Sequence, residues 1–203
     1  MKAAAAPLVL TASAPGEYLG GDDVIETSHP GVRSLAASLR AAHQDDRDFA
    51  RASFEWVRDQ IAHSCDAGNP RVTVTASQVL HHGVGLCFAK SHLLAALLRS
   101  GGVPAGLCYQ RLSDGNGGHL LHGLAAIYLD GRWHRQDPRG NRPGVDARFS
   151  LDGECLAYTV NPDAGEIDYP EVRVMPSPAV LRALCSATDV LVLCDGGLPS
   201  DPG

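Results

Sequence analysis

The sequence predicts an α+β fold, and two observations carry that prediction. Apolar residues recur at helical spacing through the first half of the chain, and the second half changes to strands joined by a tight turn. Helices first and an antiparallel sheet second place the chain in that class. Residues 7–27 hold the short apolar run Leu8-Val9-Leu10 among several glycines, which reads as an edge strand and loops. Ser28 followed by Pro30 marks a helix start, and Val32, Leu35, Ala36 and Leu39 follow at helical spacing. A second helix begins near Asp45, with Asp46 and Asp48 in the turn where negative charge is favoured. Its expected apolar stripe is Phe49, Ala52 and Trp56, with Val57 and Ile61 one stripe over. Residues 66–74 read as a loop with Gly68-Asn69-Pro70 as breakers.

Thr75-Ala76-Ser77-Gln78 has the form of a capping box and opens a short helix through Leu80. The stretch from Cys87 to Ser100 is then closed by Gly101-Gly102 and Pro104, a helix of about 21 Å. Leucines and alanines wrap most of its circumference, the pattern of a central, buried helix. Residues 107–112 read as a strand, followed by a loop rich in glycine at Gly115, Gly117 and Gly118. Residues 120–129 and 132–137 form a hairpin about Asp130-Gly131, a strong short-range turn signal. Shorter strands are expected near 155–160 and 171–174, and a small helix near 178–186.

Composition narrows the function. The 203 residues fit one domain able to bury a sizeable core, and 44% apolar with 20% charged residues argues against disorder. A formal charge of −6, a pI of about 5.8 and no Lys/Arg run longer than two argue against a nucleic-acid or anionic-membrane partner. No apolar stretch approaches a transmembrane span. The 6 cysteines, at 65, 87, 108, 155, 185 and 194, form no CxxC and no regular framework. They read as free thiols in a reducing, cytoplasmic compartment. Lys2, residues 3–10 and Ala12-Ser13-Ala14 loosely imitate a secretory signal, but Pro7 interrupts the apolar run and one lysine is a weak basic region. The stretch is read as mature sequence.

Three residues carry candidate chemistry. Cys87 starts a helix, where unpaired amides and the positive dipole end favour a thiolate, although a free cysteine is also a small core hydrophobe. If Asp130-Gly131 is a two-residue loop, Leu129 opposes Arg132 and Asp137 faces Leu124, on the same face as His122. His122 and Asp137 are then diagonal neighbours about 7–8 Å apart at Cα. A carboxylate there can orient the imidazole as base to a nucleophile. The same register sets His134 opposite Ile127, on the other face.

The segment Gly85-Leu86-Cys87-Phe88-Ala89-Lys90-Ser91-His92-Leu93-Leu94-Ala95-Ala96-Leu97-Leu98-Arg99, with Gly102-Val103-Pro104-Ala105, resembles the nucleophile helix of the transglutaminase-like superfamily. His122, Trp133 and Asp137-Pro138 resemble its second signature, at spacings of 35 and 15 residues. Arg58-Asp59-Gln60-Ile61-Ala62-His63-Ser64, Cys108-Tyr109-Gln110-Arg111-Leu112 and Arg139-Gly140-Asn141 are similar to a bacterial branch described as transglutaminase-like cysteine proteases. The resemblance covers about residues 18–180.

It implies a papain-like α+β core and a Cys87-His122-Asp137 triad that cleaves a peptide or small amide through an acyl-enzyme. The implied organisation is one domain over 1–203, with a catalytic core over about 45–160 and a C-terminal extension over about 161–203. Protein-glutamine transfer to an amine is the alternative, and an inert binding module of the same fold is a third reading. No cofactor or metal is implied. The accompanying domains of the large animal transglutaminases are absent, and no EF-hand-like loop carries their calcium dependence over.

The backbone N–H of Cys87 is the natural first oxyanion donor. Gln78 and Gln110 are candidates for the second, although Gln78 also fits the capping box and Gln110 could bond within the core. His63 reads as a cap at the end of its helix, with a place at the site edge beside Asp66 as the alternative. His81-His82 read as exposed helix-end residues, Trp133 as packing, and Cys108, Cys155, Cys185 and Cys194 as core or tail thiols.

Overall fold

A computed structural model describes residues 8–203. The signal-like stretch around Lys2 and Pro7 lies outside the described residues. Helix α1 spans Pro30–Ala42 and α2 spans Asp46–Gln60. The α1 cap is His29 rather than Ser28, its imidazole accepting from the Gly31 amide. Asp45 caps α2 by accepting from the Arg47 and Asp48 amides. The buried stripe of α2 is Phe49, Ala50, Ser53, Phe54 and Val57; Ala52 and Trp56 are only partly covered. Phe49 and the second expected stripe, Val57 and Ile61, are buried as expected, and Phe54 rather than Trp56 completes the face.

After α2 the chain forms the two-residue strand β1 (Ala62–His63), the single turn α3 (Ser64–Ala67), α4 (Ala76–His82) and β2 (Val84–Gly85). Both halves of the capping box at Thr75 and Gln78 are formed. Strands β1 and β2 pair in parallel, with His63 beside Gly85. The chain thus enters α5 (Cys87–Ser100) from a strand laid against the His63 segment.

Every residue of α5 from Cys87 to Arg99 is buried. Helices α1, α2 and α4 pack on it from one side, and the sheet packs from the other. The largest core cluster joins Phe49, Phe54, Leu94 and Leu97 to Leu107 and Ile127 of the sheet. Strands β3 (Ala105–Ser113), β4 (His119–Leu129), β5 (Arg132–Gln136) and β6 (Ile167–Asp168) form an antiparallel sheet in the order β5-β4-β3-β6. Leu129 opposes Arg132 and Ile127 opposes His134, the register expected of a two-residue loop. Asp130 and Gly131 both take positive φ, 54° and 79°, as that turn requires.

The α+β class holds, and four further local expectations change. Residues 155–160 form no strand; the fourth strand is Ile167–Asp168, and residues 171–174 make only isolated bridges. Residues 8–10 form no edge strand; only Thr11 bridges to Glu171, and Val9 is exposed. The expected loop from 66 begins inside the turn of α3. Cys65 and Cys194 are joined in a disulfide, so the reading of six free thiols is wrong. That bond ties α3 to the C-terminal segment, where α6 (Pro178–Ser186) and the turn α7 (Val190–Val192) lie. The pairing spans 129 residues of sequence, and with it the cysteine content no longer argues for a reducing compartment. Among the described residues no helix is long and apolar enough to cross a membrane.

Candidate active site

The nucleophile candidate sits where the sequence placed it. Cys87 is the first residue of α5, after the cap Leu86, in the turn whose amides have no acceptor within the helix. The α5 terminus butts against β4 at Gly123. A Cβ on Gly123 would stand 2.6 Å from the Phe88 ring and about 3 Å from the Phe88 backbone, so only glycine allows this approach. The contact lets the Gly123 amide donate to Cys87 Sγ at 3.3 Å. A glycine inside a strand, next to a candidate histidine, was the available signal for this close approach.

His122 precedes Gly123 on β4, and Asp137 follows the last residue of β5. His122 Nε2 donates to Asp137 Oδ2 at 2.8 Å, with both side chains almost wholly buried. Asp137 also accepts from the Arg139 amide through Oδ1 and from the Ala157 amide through Oδ2. These two donors carry no side-chain signature, and Ala157 lies 20 residues away in sequence. The Tyr158 ring stands edge-on to His122 at 5.0 Å, which fixes the imidazole plane. The segment expected as a strand over 155–160 is thus an irregular strap across the histidine and its carboxylate.

The electrostatics follow from this packing. Burial raises the Asp137 carboxyl, but His122 and the two amides outweigh it and hold the group below its ordinary value. Burial disfavours the His122 cation; Asp137, with Cys87, reverses this and keeps the imidazole charged well above its usual range. Burial likewise pushes the Cys87 thiol up, and the charge of His122, reinforced by His63, brings it down to about 6. The two shifts run in the direction of a thiolate–imidazolium pair, the reactive state of a cysteine nucleophile.

Cys87, His122, His63 and Asp66 line one cavity of about 580 Å³. Both Asp66 oxygens are held by the Arg139 guanidinium, at 2.8 and 3.0 Å. The expected capping role of His63 fails, because α2 ends at Gln60 and the His63 side chain caps nothing. Neither expected oxyanion donor lines this cavity. The Gln78 Oε1 accepts from the Val74 and Thr75 amides, and Gln110 Nε2 donates to Asp168 Oδ1 at 2.9 Å. Gln110 pairs with His122 in the β3–β4 register, but its amide is drawn away to β6. His81 and His82 are exposed, and Trp133 packs on Tyr18 and Tyr128.

Two polar side chains inside α5 are buried with no sequence signal for it. Lys90 is buried one turn beyond Cys87, its ammonium donating to the carbonyls of Arg58 and Ile61, and burial draws it down to about 7. His92 is buried too, bonded to the Val74 carbonyl at 2.8 Å. Lys90 fastens the end of α2, and His92 the segment before α4, to α5.

A solved structure described as a candidate cysteine protease from Cytophaga hutchinsonii superposes with a TM-score of 0.51 at 18% identity, over 60% of this chain and 40% of that one. The periplasmic domain of TgpA from Pseudomonas aeruginosa superposes with a TM-score of 0.47 at 21% identity, over 62% of this chain and 48% of that one. This chain therefore spans less than half of either structure. The first likeness is one of fold, in agreement with a papain-like α+β core. No curated protein sequence matches the chain. A family model described as "Transglutaminase-like superfamily" matches residues 33–138, more than half of the chain, from the first turn of α1 through Asp137. The chain belongs to the transglutaminase-like superfamily, a family of thiol-dependent acyl transfer.

Proposed function

We propose that this chain is a cysteine amidase or peptidase in which Cys87 is the nucleophile, His122 the acid–base group and Asp137 the residue that orients it. The single observation that carries the reading is the buried Asp137–His122 bond of 2.8 Å beside a thiol drawn down to about 6 at the start of α5. The Cys87 thiolate adds to the amide carbonyl carbon, and the carbonyl oxygen takes up the negative charge. As the C–N bond breaks, His122 gives its proton to the departing amine, leaving a thioester on Cys87. Water then adds to the thioester while His122 takes its proton; the C–S bond breaks and the carboxylic acid leaves. Asp137 stays ionised throughout, holding Nε2–H so that Nδ1 serves the sulfur and the water.

Hydrolysis is favoured over transfer to an amine because it needs only water at the thioester. Transfer also needs a shaped amine site and exclusion of water. Alkylation with limiting iodoacetamide across pH, read by peptide mapping, tests the reading. Cys87 is expected to react first, from about pH 6 upward, ahead of the exposed Cys185. Equal, slow labelling of the free thiols would leave an inert module. Incorporation of a fluorescent amine into a glutamine donor would move transfer ahead of hydrolysis.

A further inference from the structure

The tetrahedral intermediate places a negative oxygen beside Cys87, and one backbone amide at a helix start is a single donor. Gln78 and Gln110 are engaged elsewhere. His63 remains. It sits on β1 directly beside Gly85, two residues before the nucleophile, and lines the same cavity as Cys87 and His122. Its side chain is 8% exposed, and Nδ1 is buried with no hydrogen-bond partner. Asp66, the nearest carboxylate, stands 3.9 Å from Nδ1, beyond hydrogen-bond reach, and its own oxygens are committed to Arg139. The fold therefore buries an imidazole beside Cys87 with an Nδ1 that no hydrogen bond engages, and only the Asp66 carboxylate and the Cys87 sulfur act on the ring.

Buried polar groups are bonded as a rule, so an orphan in a site points to a ligand atom that completes it. We infer that His63 is a catalytic residue, donating an imidazole N–H to the oxyanion of the acyl-transfer intermediate. The inference rests on the proposed thiol mechanism. Either protonation state of the ring has an N–H to give, the neutral form one and the cation two. The Arg139–Asp66 pair fixes the α3 turn that follows His63, and the Cys65–Cys194 bond ties the same turn to the C-terminal segment. His63 is thereby held against the start of α5 by β1 on one side and by these two anchors on the other. Its closeness to the sulfur is also felt in the Cys87 ionisation, where His63 acts alongside His122.

Two reagents separate the oxyanion role from thiol activation. Acylation by p-nitrophenyl acetate passes through an oxyanion; alkylation by iodoacetamide is a direct displacement with none. Both are measured on Cys87 by peptide mapping at pH 8.5, where the thiol is ionised. His63→Ala is expected to slow acylation about 100-fold. Alkylation should change less than threefold, which also shows that the site is folded. His63→Gln, which keeps an N–H donor, should restore acylation to within tenfold of the parent. Equal loss in both reactions would make His63 a thiol activator and overturn the inference; so would no loss in either. If Cys87 of the parent protein reacts no faster than Cys185 with either reagent, the thiol mechanism itself fails and takes this role with it.

Discussion

Cys87 and Cys108 are both buried, one at the tip of α5 and the other in the middle of β3, and they titrate in opposite directions. Burial raises both thiols. Cys108 ends at about 12 and Cys87 at about 6. Cys108 lies in an apolar cluster with Tyr18, Leu124, Ala126 and Val172, and Arg135 is too weak an influence to offset the loss of water. Cys87 meets the imidazoles of His122 and His63 and the Gly123 amide at 3.3 Å. A thiol taken out of water is inert by default. It becomes reactive only where positive charge and N–H donors converge on the sulfur.

Removing the convergence should bring the two thiols together. His122→Ala is expected to lower acylation of Cys87 by p-nitrophenyl acetate about 10³-fold, since both the countercharge and the acid–base group are lost. A loss below tenfold, read from the nitrophenol burst, would break the comparison. The pH dependence is the next largest effect. The site favours the deprotonated thiol, so Cys87 alkylation should be lost as pH falls through about 6, while His122→Ala moves that midpoint up toward the ordinary thiol range. At pH 7 Cys87 favours the thiolate, whereas Cys108 stays a thiol and is fully buried. Labelling of Cys87 should therefore lead Cys108 by at least about 100-fold, as timed peptide mapping can measure.

Smaller effects separate packing from chemistry. Gly123→Ala drives a methyl into Phe88, and urea unfolding should show a cost of about 1–3 kcal/mol. By moving the amide off Sγ it should also raise the Cys87 midpoint. Cys108→Ala should cost about 1 kcal/mol for the lost apolar volume and leave acylation unchanged. If Cys108→Ala instead slowed acylation, β3 would be shaping the site and the contrast would lose its force.

Much of this site can be read along the chain because its parts rest on local rules. Asp130-Gly131 sets the hairpin register, and the register brings His122 and Asp137 together. Gly101-Gly102 closes α5, and the run of leucines and alanines marks it as central. Thr75 and Gln78 form their cap within a single turn. Where an element is short or its partner distant, the local rules fall silent. The composition of α2 supports two adjacent faces, and packing against α5 selects the one with Val57 and Ile61 over the one with Ala52 and Trp56.

Residue order alone is enough to read the helix that presents Cys87, the hairpin that aligns His122 with Asp137, and a chain without strongly basic character. Each depends on backbone geometry repeating over a few residues, or on simple composition. Long-range packing settles that His63 stands beside Cys87, that Gln110 turns to Asp168, that the Ala157 amide braces Asp137, and that Cys65 meets Cys194. Those partners lie from 20 to 129 residues apart. No local periodicity links them; they meet because burying α5 on all sides leaves the loops around its tip one way to close.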